Sequence, residues 1–297
     1  MRVAVTGASG LIGTALVARL RAGGHDVVRL VRRSAAAPDE VSWDPAAGTV
    51  DAAGLAGVEG AVHLAGAGVG DHRWTAAYKQ QILDSRVQGT ATLVAALVRL
   101  DPQPQVLVSG SAQGFYGDRG EQTLTEDSPG GTGFLSDVVR EWEAATEPAV
   151  AAGIRVVKLR SGLVMAPGGG AFGRLLPLAR LGLAGPLGSG RQWWSWITLT
   201  DEVAAIEHLL TASTLAGPVN CCAPNPGRNA DVVRAVAAAM HRPALLPAPA
   251  FALRAVLGEF SQEVLASTRM LPQRLLDDGF PFTHPGLGEA AAWLAGA

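Results

Sequence analysis

The first thirteen residues constrain this chain more than any other segment. Arg2-Val3-Ala4-Val5-Thr6 is an apolar run of strand length, and it leads directly into Thr6-Gly7-Ala8-Ser9-Gly10-Leu11-Ile12-Gly13, which fits the pattern G-x-x-G-x-x-G. Leu11, Ala15, Ala18 and Ala22 then recur at helical spacing. A bare glycine pattern says little, but between a strand and a helix it marks a phosphate-binding turn. Gly7 permits the tight turn out of the strand, Gly10 lets the backbone approach a pyrophosphate, and Gly13 lets the helix pack closely. The first N–H groups of the helix then present partial positive charge to the phosphates. These residues imply a bound dinucleotide.

Strand-length apolar runs continue to alternate with helical stretches as far as residue 165. Strands are expected at Asp26–Val31, Gly60–Ala65, Gln105–Ser109 and Ile154–Leu159, with helices near Thr75–Leu100 and Leu135–Ala151. This alternation predicts an α/β fold, a Rossmann-type doubly wound parallel sheet with helices on both faces. Beyond Met165 glycine and proline punctuate the chain, and helical pieces are expected near 201–212, 231–240, 250–258 and 289–294. They predict a smaller, mostly helical C-terminal lobe. The expected division is 1–220 for the Rossmann domain, with substrate-lobe insertions from about 168, and 221–297 for the small domain.

The end of the second strand distinguishes between cofactors. An acid there would bind the ribose 2′-hydroxyl of NAD, whereas a guanidinium accommodates a 2′-phosphate. The chain reads Val31-Arg32-Arg33-Ser34, with no acid before Asp39. The expected cofactor is therefore NADP(H), with Arg32 as the main contact.

Charge excludes other partners. The net charge is -2, no basic cluster exceeds a few residues, and no apolar run reaches the roughly 18 residues of a spanning helix. Neither nucleic acid nor a membrane is expected, and Met1 leads straight into a strand rather than a secretory signal, so the expected location is the cytoplasm. Cys221 and Cys222 are adjacent, which disfavours a disulfide. No two of the six histidines stand at i,i+4, so no metal site is expected.

Motifs along the chain carry a resemblance. They are Thr6-Gly7-x-x-Gly10-x-x-Gly13, His63-Leu64-Ala65-Gly66, Phe115-Tyr116-Gly117, Leu159-Arg160-Ser161-Gly162-Leu163-Val164, Trp194-Ser195-Trp196-Ile197 and Leu271-Pro272-x-Arg274-Leu275. The chain resembles the extended and atypical short-chain dehydrogenase/reductases of the NAD-dependent epimerase/dehydratase superfamily. Within it, the resemblance is to the uncharacterised epimerase family branch that carries a C-terminal domain of unknown function. It implies cofactor contacts at Gly7, Ser9, Gly10, Leu11, Ile12, Gly13 and Arg32. Leu64, Ala65 and Gly66 would line the adenosine-ribose and pyrophosphate side. Ser109, Ser161 and Val164 would approach the nicotinamide. The implied activity is that of an NADP-dependent epimerase or oxidoreductase.

The acid/base pair of conventional members is missing. They use Tyr-x-x-x-Lys on the helix after the fifth strand, with a Ser or Thr at that strand's end. Here the matching positions are Phe134, Val138 and Ala112, and the chain's lysines are Lys79 and Lys158. Tyr116 and Ser111 are the remaining candidates for proton transfer. Arg73, Trp74, Arg86, Arg191, Trp194 and Trp196 are candidates for holding a small, sugar-like or anionic substrate, through stacking and charge. A non-catalytic NADP(H)-binding redox sensor or regulatory protein acting through a partner is the alternative. Either a monomer or a homodimer is compatible with the sequence.

Overall fold

The computed structural model describes residues 1–211 and 214–296. Strands are β1 Arg2–Thr6, β2 Asp26–Val31, β3 Glu40–Asp44, β4 Thr49–Val50, β5 Gly60–His63, β6 Val106–Ala112, β7 Thr123–Leu124, β8 Arg155–Ser161, β9 Leu163–Met165, β10 Trp193–Trp194, β11 Trp196–Thr198, β12 Gly217–Cys221, β13 Gly227–Arg228 and β14 Arg269–Met270. Helices are α1 Leu11–Ala22, α2 Ala76–Val98, α3 Phe134–Ala144, α4 Glu147–Ala151, α5 Gly170–Arg180, α6 Leu199–Thr211, α7 Asn229–Ala239, α8 Ala250–Leu257, α9 Ser261–Leu265, α10 Gln273–Asp277 and α11 Leu287–Gly296.

The main sheet runs β12-β8-β6-β5-β1-β2-β3-β4. Every pairing in it is parallel except β3 with β4. The strands can be apolar on both faces because helices cover both. Leu16, Val17 and Leu20 of α1 join Ile206 and Leu209 of α6 in one cluster, while Leu93, Val94 and Leu97 of α2 join Leu107 and Ile154 in another. The chain leaves β1 for β2 on one side and returns through β5 on the other. That reversal opens a crevice at the carboxyl ends of β1 and β5, where sheets of this kind bind ligands.

A further cluster gathers α5, α7 and α11 around Phe172, Leu176, Trp194, Trp196, Val232, Val236 and Leu294. Other C-terminal residues return to the Rossmann domain: β14 pairs with β7 in a separate two-stranded sheet, and Leu275 and Phe280 join the cluster under α1 and α6. The helix expected over 135–151 is broken into α3 and α4, with Pro148 in the first turn of α4. A proline there cannot donate the N–H that would continue α3. The helix expected over 201–212 begins at Leu199, and residue 212 lies outside the described residues. Among the described residues no helix is long and apolar enough to cross a membrane.

Candidate cofactor and substrate site

Two glycines of the turn are sterically required. Gly7 has φ 67°, and a Cβ on it would stand 2.7 Å from the Leu64 carbonyl carbon. A Cβ on Gly13 would stand 2.1 Å from the Gly7 carbonyl oxygen. Gly10 caps α1 in an extended conformation with no side-chain cap, and the helix has no acid in its first turn. The first N–H groups of α1 are thus left for an anion. Ser9 and Gly10 are exposed, and Leu11 and Ile12 are partly so.

Thr6 fastens this turn to the loop after β5. Its Oγ accepts the N–H groups of Leu64 at 3.1 Å and Ala65 at 3.3 Å. The Thr6 proton therefore goes to His63 Nδ1, 2.7 Å away, which leaves the ring hydrogen on Nε2. Burial, with a smaller effect from Arg86, lowers the His63 pKa to about 4. His63 is thus a neutral core residue that holds two loops together.

The paired arginines after β2 have different roles. Arg33 is bound to both oxygens of Glu40, at 2.8 and 2.7 Å. Arg29 is bound likewise to Asp39. Arg32 is exposed and has no hydrogen-bond or ion-pair partner among the described residues. It lines a shallow pocket of about 390 Å³ with Arg33, Ser34, Ser42–Asp44 and Thr49–Asp51.

A second cavity, of about 430 Å³, lies between the start of α2 and the start of α3. Trp74, Lys79, Leu83, Phe134 and Glu259 are among its lining residues. Lys79 Nζ stands 4.5 Å from the Phe134 ring centre and 2.6 Å from Glu259. Trp74 packs between Phe134 and Phe260 and donates Nε1–H to the Val69 carbonyl. Val138 is buried beside Ile82 and Tyr78. Arg73 is exposed, close to the Gly258 backbone. Arg86 donates to the Ala67 and Ile82 carbonyls and stacks over Trp142, with no carboxylate partner among the described residues. Lys79, Glu259 and Phe260 were not anticipated, because residues so far apart in sequence leave no local pattern.

Several expected site residues are structural instead. Tyr116 is fully buried; its hydroxyl receives Arg160 Nη1–H and lies 2.7 Å from Asn220 Oδ1 and 3.0 Å from the Thr125 carbonyl. Burial raises its pKa, so it is a poor proton donor to any cleft. Ser111 is buried and donates to Glu143 Oε1 at 2.6 Å, inside the Arg160–Glu143 ion pair. Ser109 is fully buried three residues before the end of β6, so its side chain does not reach the crevice. Trp194 and Trp196 are buried in the cluster formed by α5, α7 and α11, which corrects their expected role as stacking platforms. Arg191 is exposed outside the Phe134 cavity, and its carbonyl accepts from Arg228.

Ser161 ends β8 and Val164 lies within β9, both partly exposed. Ser161 Oγ stands 2.5 Å from Oε1 of Glu202, a fully buried residue in the first turn of α6. The sequence held no local signal for that contact, which crosses from sheet to helix.

A crevice at the switch of a parallel sheet, floored by an uncapped glycine turn, defines a dinucleotide-binding Rossmann protein. The chain belongs to the NAD dependent epimerase/dehydratase family, which matches residues 3–222. Residues 248–294 match a domain of unknown function, DUF1731. An epimerase family protein of Mycobacterium tuberculosis is 42% identical over 98% of this chain and 96% of its own length. The human epimerase family protein SDR39U1 is 37% identical over 98% of both chains. A crystal structure of human SDR39U1 with NADPH superposes with a TM-score of 0.91 at 34% identity, covering 100% of this chain and 99% of that one. A nucleoside-diphosphate sugar epimerase from Corynebacterium glutamicum superposes at 0.82 with 35% identity, and this chain spans 58% of it.

Proposed function

We propose that this protein binds NADP(H) and is an epimerase- or oxidoreductase-like protein acting on a small anionic or sugar-like molecule. The observation that carries the cofactor reading is Arg32, an exposed guanidinium without a partner, next to a pocket at the end of β2. The residues present fit the group. The Gly7 and Gly13 positions have no room for a Cβ, α1 has no side-chain cap, and no acid directly follows β2 before Asp39, while Asp44 and Asp51 line the Arg32 pocket. Arg32 would hold the 2′-phosphate, the turn from Gly7 to Gly13 the pyrophosphate, and the Ser161–Val164 segment the nicotinamide side. Bound there, the cofactor supplies hydride chemistry. The NADPH complex of the human relative supports the same reading.

The cavity beside Phe134 is the proposed substrate space. The Lys79–Glu259 pair offers polar hydrogen-bonding groups and Trp74 a flat apolar wall, which suits a sugar-like ligand. Phe134, Val138 and Ala112 contribute no acid or base, and buried Tyr116 and Ser111 do not replace them. The test is titration with NADPH and NADH, followed by a panel of carbonyl compounds and nucleotide sugars. NADPH is expected to bind at least about tenfold tighter, because charged hydrogen bonds to the 2′-phosphate are lost with NADH. Equal affinity for the two overturns the cofactor assignment.

A further inference from the structure

Ser161 ends β8, in register with Ala112 on β6 and Cys221 on β12. Ala112 is the strand-end position where conventional members carry their Ser or Thr. In this chain a hydroxyl stands one strand over. Behind it lies Glu202, completely buried, with Oε1 2.5 Å from Ser161 Oγ and Oε2 without a hydrogen-bond partner. An ionised carboxylate in that setting is costly, so the group takes up a proton instead.

Other charges do not relieve it. From β12 the Cys221 thiol faces Glu202, with Cys222 and Glu126 beyond, and all of these are neutral or acidic. On α6 itself Asp201 is occupied by the Thr198 hydroxyl and the N–H groups of Thr283 and His284, with His284 Nδ1 3.7 Å away. Arg160, the cation adjacent to Ser161 in sequence, is bound to Glu143. Glu202 therefore has no cationic partner among the described residues.

We propose that Ser161 and Glu202 form a proton-holding pair in the crevice at the carboxyl end of β8, in place of the absent tyrosine and lysine; this rests on the NADP(H) reading above. Protonated Glu202 donates to Ser161 Oγ, which frees the Ser161 O–H to donate into the cleft. When a substrate carbonyl carbon accepts a hydride, its oxygen takes the Ser161 proton. Ser161 takes the Glu202 proton, and the carboxylate is reprotonated from solvent. One hydride and one proton thus convert the carbonyl to an alcohol. Burial raises the Glu202 pKa to about 7, which places the exchange near neutrality. Ser161 is the group that touches the reacting oxygen, and Glu202 acts through it as a positioning residue.

The test measures Kd for NADP⁺ and NADPH by fluorescence quenching in wild type, Glu202→Gln and Glu202→Asp. A positively charged nicotinamide near the pair favours the ionised carboxyl, and the reduced ring does not. The ratio Kd(NADPH)/Kd(NADP⁺) is expected to rise about fivefold between roughly pH 6 and pH 8.5 in wild type. It should stay flat in Glu202→Gln and keep its pH dependence in Glu202→Asp. In the free protein, a protonated-carboxyl infrared band titrating near neutral pH should be present in wild type and absent from Glu202→Gln. A flat wild-type ratio, or an equal change in Glu202→Gln, overturns the proposal. If neither nucleotide binds, the cofactor reading itself fails, and this proposal fails with it.

Discussion

Arg32 and Arg33 are adjacent, identical in charge, and predicted to respond oppositely to mutation. Arg32 has no internal partner among the described residues, so removing it costs the fold little and its whole effect falls on the ligand. A hydrogen bond to a charged group is worth about 1.5–3 kcal/mol, or about ten- to hundredfold in Kd. Arg32→Ala should weaken NADPH by that factor while leaving NADH, which lacks the 2′-phosphate, within about twofold. Arg32→Asp should reverse the preference, because a carboxylate there repels the phosphate and accepts the 2′-hydroxyl of NADH. Arg33 is committed to Glu40, whose side chain is only 3% exposed. Arg33→Ala leaves that carboxylate with Arg29 at 3.2 Å and the Ala36 N–H. It should lower Tm by a few degrees and leave both affinities within about twofold. Isothermal titration with both nucleotides, alongside thermal melts, separates the two arginines. A loss of NADPH affinity in Arg33→Ala equal to that in Arg32→Ala, or an equal loss of NADH in Arg32→Ala, would refute the reasoning.

Three further outcomes are expected. Gly13→Ala places a Cβ 2.1 Å from the Gly7 oxygen; it should destabilise the protein by about 1–3 kcal/mol and weaken NADPH and NADH together, read by urea melts and titration. Tyr116→Phe should cost about 1–3 kcal/mol and Glu143→Ala about 3–5 kcal/mol in chemical denaturation, with NADPH affinity unchanged in Tyr116→Phe, because these groups close a buried network around Arg160 and Asn220. His63 is held neutral with a pKa of about 4 against 6.5 when unfolded. Its contribution is therefore complete above pH 6.5 and is lost as pH falls toward 4, up to about 3 kcal/mol. Urea melts across that range should show a shallower pH slope in His63→Gln than in wild type.

Local sequence pattern was sufficient wherever one element makes the feature by itself. The glycine turn, the bounds of β1, α1 and β2, and the absence of an acid after β2 all arise within a few residues, and short-range sterics and periodicity specify them. The same reading named Arg32 as the main contact, but why Arg33 is taken up elsewhere depends on Glu40 arriving from β3, a strand the pattern did not reveal. It also offered Tyr116, Ser111, Trp194 and Trp196 as site residues on the strength of residue type. Type does not report burial. Tertiary packing seals all four in the interior, through Arg160, Glu143 and Asn220 in one case and through α5, α7 and α11 in the other. Lys79 beside Glu259 and Ser161 against Glu202 exist only because helices cross distant strands. The sequence alone determined that the chain folds as a Rossmann domain with a dinucleotide turn; which polar groups are free to meet a ligand was decided by long-range contacts, which no local pattern encodes.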